Sequence, residues 1–308
     1  MKMILMGTGT SHGIPCIACD CDVCKSKDRR DKRNRCSAFV INKNRDKSES
    51  HVLIDCGPEF RLQALKYKIK KIDAVLLTHS HADHLHGLDD LRIFSHTISE
   101  GHLKNPNIGK ETEGKGLSIY LNRQSYDDIK VRFDYVFKET QLGGGKPKLN
   151  FVHSKELDEQ NASEFGDMRV LPVPMMHGRL KTCGWLFTVT SRKDKKPHSI
   201  AYLTDCSEIK EKSIQKIIDN AGILDHLVID GLRKESHATH FSFCEALEVA
   251  EKLSPVHTWF IHMCHANSHV QIQEYVKEVL QRFPNLQKIV ENGGSVEPAY
   301  DGLKIQTL

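Results

Sequence analysis

The sequence predicts a layered α/β protein. Three observations carry that prediction: short apolar runs of strand length recur along the chain, amphipathic patterns of helix length are interleaved with them, and 39% hydrophobic against 27% charged residues supply a substantial core without suggesting disorder. At 308 residues the chain has room for one or two domains; large layered α/β folds reach this size as a single unit, so a single domain over residues 1–308 is expected.

Residues 1–7, Met-Lys-Met-Ile-Leu-Met-Gly, read as a first strand ending in a glycine turn. Further strands are expected at 37–41, 51–55, 74–78, 170–174, 184–190, 200–204, 226–230 and 258–262. Many of them end at a His or an Asp, and a strand end holds a side chain rigidly beside a cleft while the adjoining loop leaves it accessible. Helices are expected at 59–68, 123–131, 207–221, 242–253 and 269–282, the last two with apolar residues at three- and four-residue intervals. Residues 96–116 are rich in Gly, Asn, Lys and Glu without apolar periodicity and read as a surface insertion or lid; Gly143-Gly144-Gly145-Lys146-Pro147 is another loop. The charged stretch 25–35 reads as a solvated loop.

The net charge of +4 comes from 44 basic and 40 acidic residues, a mild bias that gives no electrostatic commitment to nucleic acid. The opening segment is too short for a signal peptide, and no apolar run is long enough to span a membrane. Ten cysteines without such a signal point to the cytoplasm, a reducing compartment where clustered thiols bind metal more often than they form disulfides.

The 18 histidines are more informative than the charge. In His79-x-His81-x-Asp83-His84, two histidines two residues apart leave an extended segment in the same direction, and Asp83-His84 begin the following turn. One histidine alone would be read as a solvated or hydrogen-bonded side chain. Four metal-capable groups after the aliphatic run 72–78 are read as metal ligands, because unpaired polar groups at this density are costly. Two metal shells need more donors, and His177, Asp205 and His262 stand at later strand ends to supply them.

With these residues in hand, the chain resembles the metallo-β-lactamase superfamily over nearly its whole length. The resemblance implies an αββα sandwich in which His79, His81 and His177 hold one metal, Asp83, His84 and His262 hold the other, and Asp205 bridges them. It implies hydrolysis by a bridging water of lowered pKa, with Asp83 and the other ligands at the catalytic centre. Histidine and carboxylate donors suit Zn²⁺ or Mn²⁺, and iron is compatible.

Cys16-x-x-Cys19-x-Cys21-x-x-Cys24 places four thiols in nine residues, a spacing suited to one tetrahedral ion within a loop over 16–36. Together with Gly7-Thr8-Gly9-Thr10 and His262-Met263-Cys264-His265, this segment resembles the phosphodiesterases of the carbon–phosphorus lyase accessory type, the phosphoribosyl 1,2-cyclic phosphate phosphodiesterase group. That resemblance implies a structural Zn²⁺ on Cys19, Cys21, Cys24 and His265, with Cys16 as a surplus thiol; a site of four cysteines with His265 left free is the alternative. It implies small cyclic phosphates as substrates, phosphoribosyl 1,2-cyclic phosphate or 2′,3′-cyclic nucleotides, and a homodimer.

The segment 232–242 leads into a helix with the Ser242-x-x-Glu245 capping-box spacing, whose amides and dipole would favour a phosphate beside His240. The same resemblance gives His240 the role of general acid at the leaving oxygen. His237 is a weaker candidate, and Arg233 would contact phosphate or cap a turn. His12 and His86 read as supporting or solvent-facing groups, Trp185 and Trp259 as core, and Cys56, Cys183, Cys206, Cys244 and Cys264 as small buried residues.

Two other readings compete. Gly7-Thr8-Gly9, Pro15 and Arg35-Cys36-Ser37 resemble the opening of the tRNA 3′-processing endonucleases, against which stand the cysteine cluster and the lack of a long basic, glycine-rich arm. A non-catalytic cofactor-biosynthesis relative would keep the cysteine zinc but lose dimetal ligands, and all seven are present here.

Overall fold

The computed structural model describes residues 1–95, 116–139, 145–153 and 162–308. Except for Gly116, the expected insertion at 96–116 lies outside the described residues, as do Gly143 and Gly144 of the expected glycine loop. Strands β1 (Lys2–Gly7), β2 (Ser37–Lys43), β3 (Glu49–Ile54), β4 (Ala74–Leu76), β5 (Leu117–Tyr120) and β6 (Leu149–Val152) build a first sheet. Strands β7 (Ser163–Phe165), β8 (Met168–His177), β9 (Leu180–Thr190), β10 (Pro197–Leu203), β11 (Ile223–Asp230), β12 (His257–Ile261) and β13 (Ser295–Pro298) build a second, and β14 (Lys304–Gln306) returns to the first beside β1.

Side chains alternate across each strand, so each strand feeds two cores. In β1, Met3 and Leu5 join Val40, Ile54 and Leu76 in facing the second sheet, while Ile4 and Met6 face outward. In β10, Ile200 and Tyr202 face the first sheet, whereas Ala201 and Leu203 face outward. Strands buried on both faces read as continuous apolar runs rather than alternating ones, which is why they stood out in the sequence.

Helix α1 (Asp22–Lys25) lies in the cysteine loop. Helices α2 (Phe60–Tyr67), α3 (Ala82–Leu85), α4 (Arg92–Ser95), α5 (Arg123–Arg132) and α6 (Asp134–Phe137) follow in the first half of the chain, with Phe60, Leu85 and Ile129 packed on the outer face of the first sheet. Helices α7 (Glu211–Ala221), α8 (Phe243–Leu253), α9 (His269–Val279) and α10 (Pro284–Glu291) cover the second sheet through Ile217, Leu247, Ile272 and Leu286. The layers form the αββα sandwich that the resemblance implies.

The two sheets repeat one progression. From β14 through β1 and β2 to β3 the pairs are antiparallel, then parallel to β6; from β7 through β8 and β9 to β10 they are antiparallel, then parallel to β13. Strands β3 and β10 are therefore counterparts. Each is followed by an aspartate in the left-handed region, Asp55 at φ 56° and Asp205 at φ 55°, and β12 is followed by His262 at φ 57°. That region favours glycine, so a side chain kept there points to a functional constraint.

Some expectations need correction. The stretch 25–35 is not simply a solvated loop: Arg33 and Asp31 form a buried ion pair at 3.2 Å, with the guanidinium also donating to the carbonyls of Cys264 and Asn267. Those carbonyls and Asp31 satisfy the charge that a bare sequence reading assigns to water. The expected helix at 207–221 begins only at Glu211, because residues 207–208 bridge to Met176. Among the described residues, no helix is long and apolar enough to cross a membrane.

Candidate dimetal site

The first half of the site grows from Asp55 at the end of β3. Its buried carboxylate accepts from the Thr78 amide (2.8 Å), the Thr78 hydroxyl (2.8 Å) and His84 Nδ1 (2.7 Å). The Cys56 amide donates to the His84 carbonyl, so α3 is docked against the strand end. Gly57 permits this approach: a Cβ there would lie 2.0 Å from the Asp83 carbonyl oxygen. Because Asp55 accepts from Nδ1, His84 turns Nε2 toward the cavity.

The second half comes from the other sheet. His177 ends β8 and donates from Nδ1 to the Thr239 carbonyl at 2.6 Å, which also directs its Nε2 inward. Asp205 follows β10, its Oδ2 accepting from Thr204 and its own carbonyl from Thr182. His262 follows β12 and is fully buried.

These ends bring ligand atoms together in two groups, His79 with His81 and His177, and Asp83 with His84, Asp205 and His262. Asp205 reaches both: Oδ1 lies 3.9 Å from His79 Nε2 and 3.2 Å from His262 Nε2, and Oδ2 lies 3.1 Å from His84 Nε2. Asp83 Oδ2 is 3.2 Å from His84 Nε2 and 3.9 Å from His262 Nε2. Donors on one tetrahedral ion at bond lengths near 2.1 Å stand roughly 3.4 Å apart, so the spacing fits shared ions. The Nε2 atoms of His79, His84 and His262 are buried without a hydrogen-bond partner, the state expected of nitrogens that serve a cation.

Electrostatics agree. Burial pushes the His79 ring well below its ordinary range, with His84 adding to the effect. Burial would do the same to His84, but Asp205, Asp83 and Asp55 outweigh it and raise the ring well above its ordinary range. Burial likewise opposes ionisation of Asp205, yet His262 and His84 keep its carboxylate far below the usual range. The pocket thus gathers carboxylates whose negative charge favours a cation among them.

A third cluster joins the two ends of the chain. Cys19, Cys21 and Cys24 place Sγ at 3.3, 3.4 and 3.6 Å from His265 Nδ1. A tetrahedral zinc with sulfur and nitrogen donors sets them about 3.6 Å apart. Hydrogen bonding from the Cys24 amide, with His265 assisting, lowers the Cys21 thiol to about 6, whereas burial raises that of Cys24. Cys16 stands outside the quartet: its Sγ donates to the Gly13 carbonyl and its amide donates to Cys24 Sγ.

His240 lies between the two groups, its ring centroid 4.5 Å from those of His177 and His262. Its Nδ1 is held by Asp230 Oδ2 at 2.8 Å, an aspartate ending β11 that also accepts from the Cys206 amide. The amides of Ser242, Phe243 and Glu245 are taken by Glu245 Oε2, the Arg233 carbonyl and Ser242 Oγ, so these three are not free for the phosphate foreseen at the start of α8. The capping box that marks this helix consumes those of Ser242 and Glu245.

His237 is exposed, its ring 5.5 Å from His240, and His12 and His86 are exposed and outside the ligand groups. Trp185 is buried and Trp259 half-buried; Cys56, Cys183 and Cys206 are buried, while Cys244 and Cys264 are half-buried. Sequence reasoning missed Asp55 and Asp230, although each ends an expected strand. A cleft of about 530 Å³, lined by Arg123, Asp128, Met176, Lys181 and Lys210 among others, opens beside the site without including a candidate ligand.

Residues 50–263 match the model of the β-lactamase superfamily domain. A crystal structure described as a new diphosphatase from the PhnP family is 32% identical, covers 99% of this chain and 97% of its own, and superposes with a TM-score of 0.73. An octanoyltransferase of Porphyromonas gingivalis is 32% identical over 300 residues, 96% of this chain; the chain spans about half, 52%, of that relative. A ribonuclease Z of Lachnospira eligens is 25% identical over 285 residues, covering 82% of this chain and 90% of its own.

Proposed function

Because the chain belongs to the β-lactamase superfamily domain family and has the metallo-β-lactamase fold, we propose that it is a two-metal phosphodiesterase of small cyclic phosphates, phosphoribosyl 1,2-cyclic phosphate or 2′,3′-cyclic nucleotides. His79, His81 and His177 would hold one ion, Asp83, His84 and His262 the other, and Asp205 would touch both. The donor set suits Zn²⁺ or Mn²⁺. Cys19, Cys21, Cys24 and His265 would hold a structural Zn²⁺. When bound, two divalent cations acidify a water and offset charge gathering on the phosphoryl oxygens. Ten free cysteines suit the reducing cytoplasm.

The observation that carries the reading is the placement of His240. Asp230 fixes its Nδ1, which leaves Nε2 to hold a proton at a ring wedged between the two ligand groups. From there His240 gives the proton to the departing oxygen, a role imidazole fills near neutral pH. Purified protein loaded with Zn²⁺ or Mn²⁺ is expected to cleave bis(p-nitrophenyl) phosphate. His240→Ala is expected to lower kcat by about 10²- to 10⁴-fold with metal content unchanged, while Asp205→Ala empties the dimetal site. Full turnover by either variant contradicts the assigned role.

A second reading, tRNA 3′ processing, draws on the likeness to ribonuclease Z. Cleavage of precursor tRNA with a steep salt dependence would favour it over the cyclic phosphate.

A further inference from the structure

Most of the candidate ligand histidines have a partner that fixes the ring. His84 has Asp55, His177 has the Thr239 carbonyl, and His79 Nδ1 lies 3.0 Å from Thr78 Oγ1. His262 is buried and stacked on His240 with 17° between the rings. His81 differs in being exposed: its ring lies edge-on to those of His79 and His177, with 4.5 and 5.2 Å between centroids, and among the described residues no hydrogen bond holds it. With no hydrogen bond on the ring, the backbone that carries His81 has to help place it, because a ligand free to turn weakens the ion it holds.

The residue before it provides the answer. Ser80 is 1% exposed and is gripped twice from α5: its hydroxyl donates to Asp128 Oδ2, and its carbonyl accepts from Arg132 Nη1. Asp128 and Arg132 stand one helical turn apart, 3.9 Å between their charged groups. The start of the helix is itself fixed, since Asn122 caps the Ser125 amide and donates to the Lys181 carbonyl in β9. Held at both side chain and carbonyl, Ser80 leaves the backbone between His79 and His81 little freedom.

We propose that Asp128 and Arg132 are positioning residues that act through Ser80 to orient His81, and so set the affinity of the ion position formed by His79, His81 and His177. The other position depends on Asp55, which makes no contact with α5 in its hydrogen bonds to Thr78 and His84. The clamp therefore acts on one of two neighbouring ions. This inference rests on the reading that the site holds two ions, and not on the identity of the substrate.

The test is a Co²⁺ titration of the metal-free full chain followed by absorption spectroscopy, with metal content measured separately. The wild type is expected to fill two dimetal positions. Asp128→Ala and Arg132→Ala should each weaken one position about 10- to 100-fold and leave the other unchanged. Asp128→Asn, which still accepts from the Ser80 hydroxyl, should restore most of the affinity. Ser80→Ala loses a single contact and serves if the larger truncations fail to fold. Unchanged affinity at both positions, or equal loss at both together with a fall in Tm, overturns the proposal. A wild type that binds two ions but cleaves no phosphodiester refutes the proposed activity and leaves the clamp standing; one that binds no ion refutes both.

Discussion

Asp55 shows how much one residue outside the ligand set can decide. Three hydrogen bonds converge on its buried carboxylate, and they fix both the strand end before His79 and the ring of His84. Burial raises the tendency of this carboxyl to stay protonated, and His84 and Thr78 work against it. Asp55→Asn keeps the shape but loses the charge opposite His84 Nδ1. Metal affinity at the Asp83, His84 and His262 position is expected to drop about 10- to 100-fold, read by equilibrium dialysis; unchanged affinity would show that the carboxylate is dispensable. The candidate ligands were legible because HxHxDH compresses four possible donors into six residues. Asp55 and Asp230 were not, since a single acid at a strand end carries no spacing signal until the fold shows what it faces.

At the scale of the element, the cysteine loop poses whether His265 or Cys16 is the fourth donor of the proposed zinc site. Cys16→Ser is expected to retain one tightly held zinc per chain, and His265→Ala to lose it, as measured by zinc content after gel filtration. The opposite pattern would assign four cysteines to the ion. The long buried strands and capped helices were readable from period and cap residues, and the capping box at Ser242 begins α8 where expected. The strands at the margins were not. β6, β7, β13 and β14 have three or four residues each, with half-exposed or polar positions, and give no apolar run to find. β5, four residues long, is buried at Leu117 and Ile119 but is likewise too short to register. The start of α7 was misplaced because residues 207–208 satisfy a long-range bridge that no local pattern announces.

At the scale of the whole molecule, the C-terminal loop locks the opening loop. Asp301 accepts from the Thr8 hydroxyl (2.9 Å) and the Asn34 amide (2.8 Å), and burial raises its pKa from 3.8 to about 6. The unfolded chain ionises this group first, so its contribution to stability is present below pH 3.8 and is lost as pH rises to about 6. A shift of that size corresponds to roughly 3 kcal/mol. Urea unfolding of Asp301→Asn against wild type at several pH values should show their difference in stability changing across this window and level on either side. A constant difference from pH 3 to 8 would exclude Asp301 as the source.

The division of the site between two sheets also orders events in time. His265 meets Cys19 across 246 residues, and His262 meets Asp83 across most of the chain as well. Closing loops of that size comes late in folding, after local contacts have formed. During synthesis the cysteine quartet cannot exist until residue 265 has left the ribosome, although the three thiols emerge almost at once. Until then the chain carries the three thiols and the HxHxDH turn without the histidines that complete their groups. The candidate ligand groups are thus completed together, once His262 and His265 have both been made.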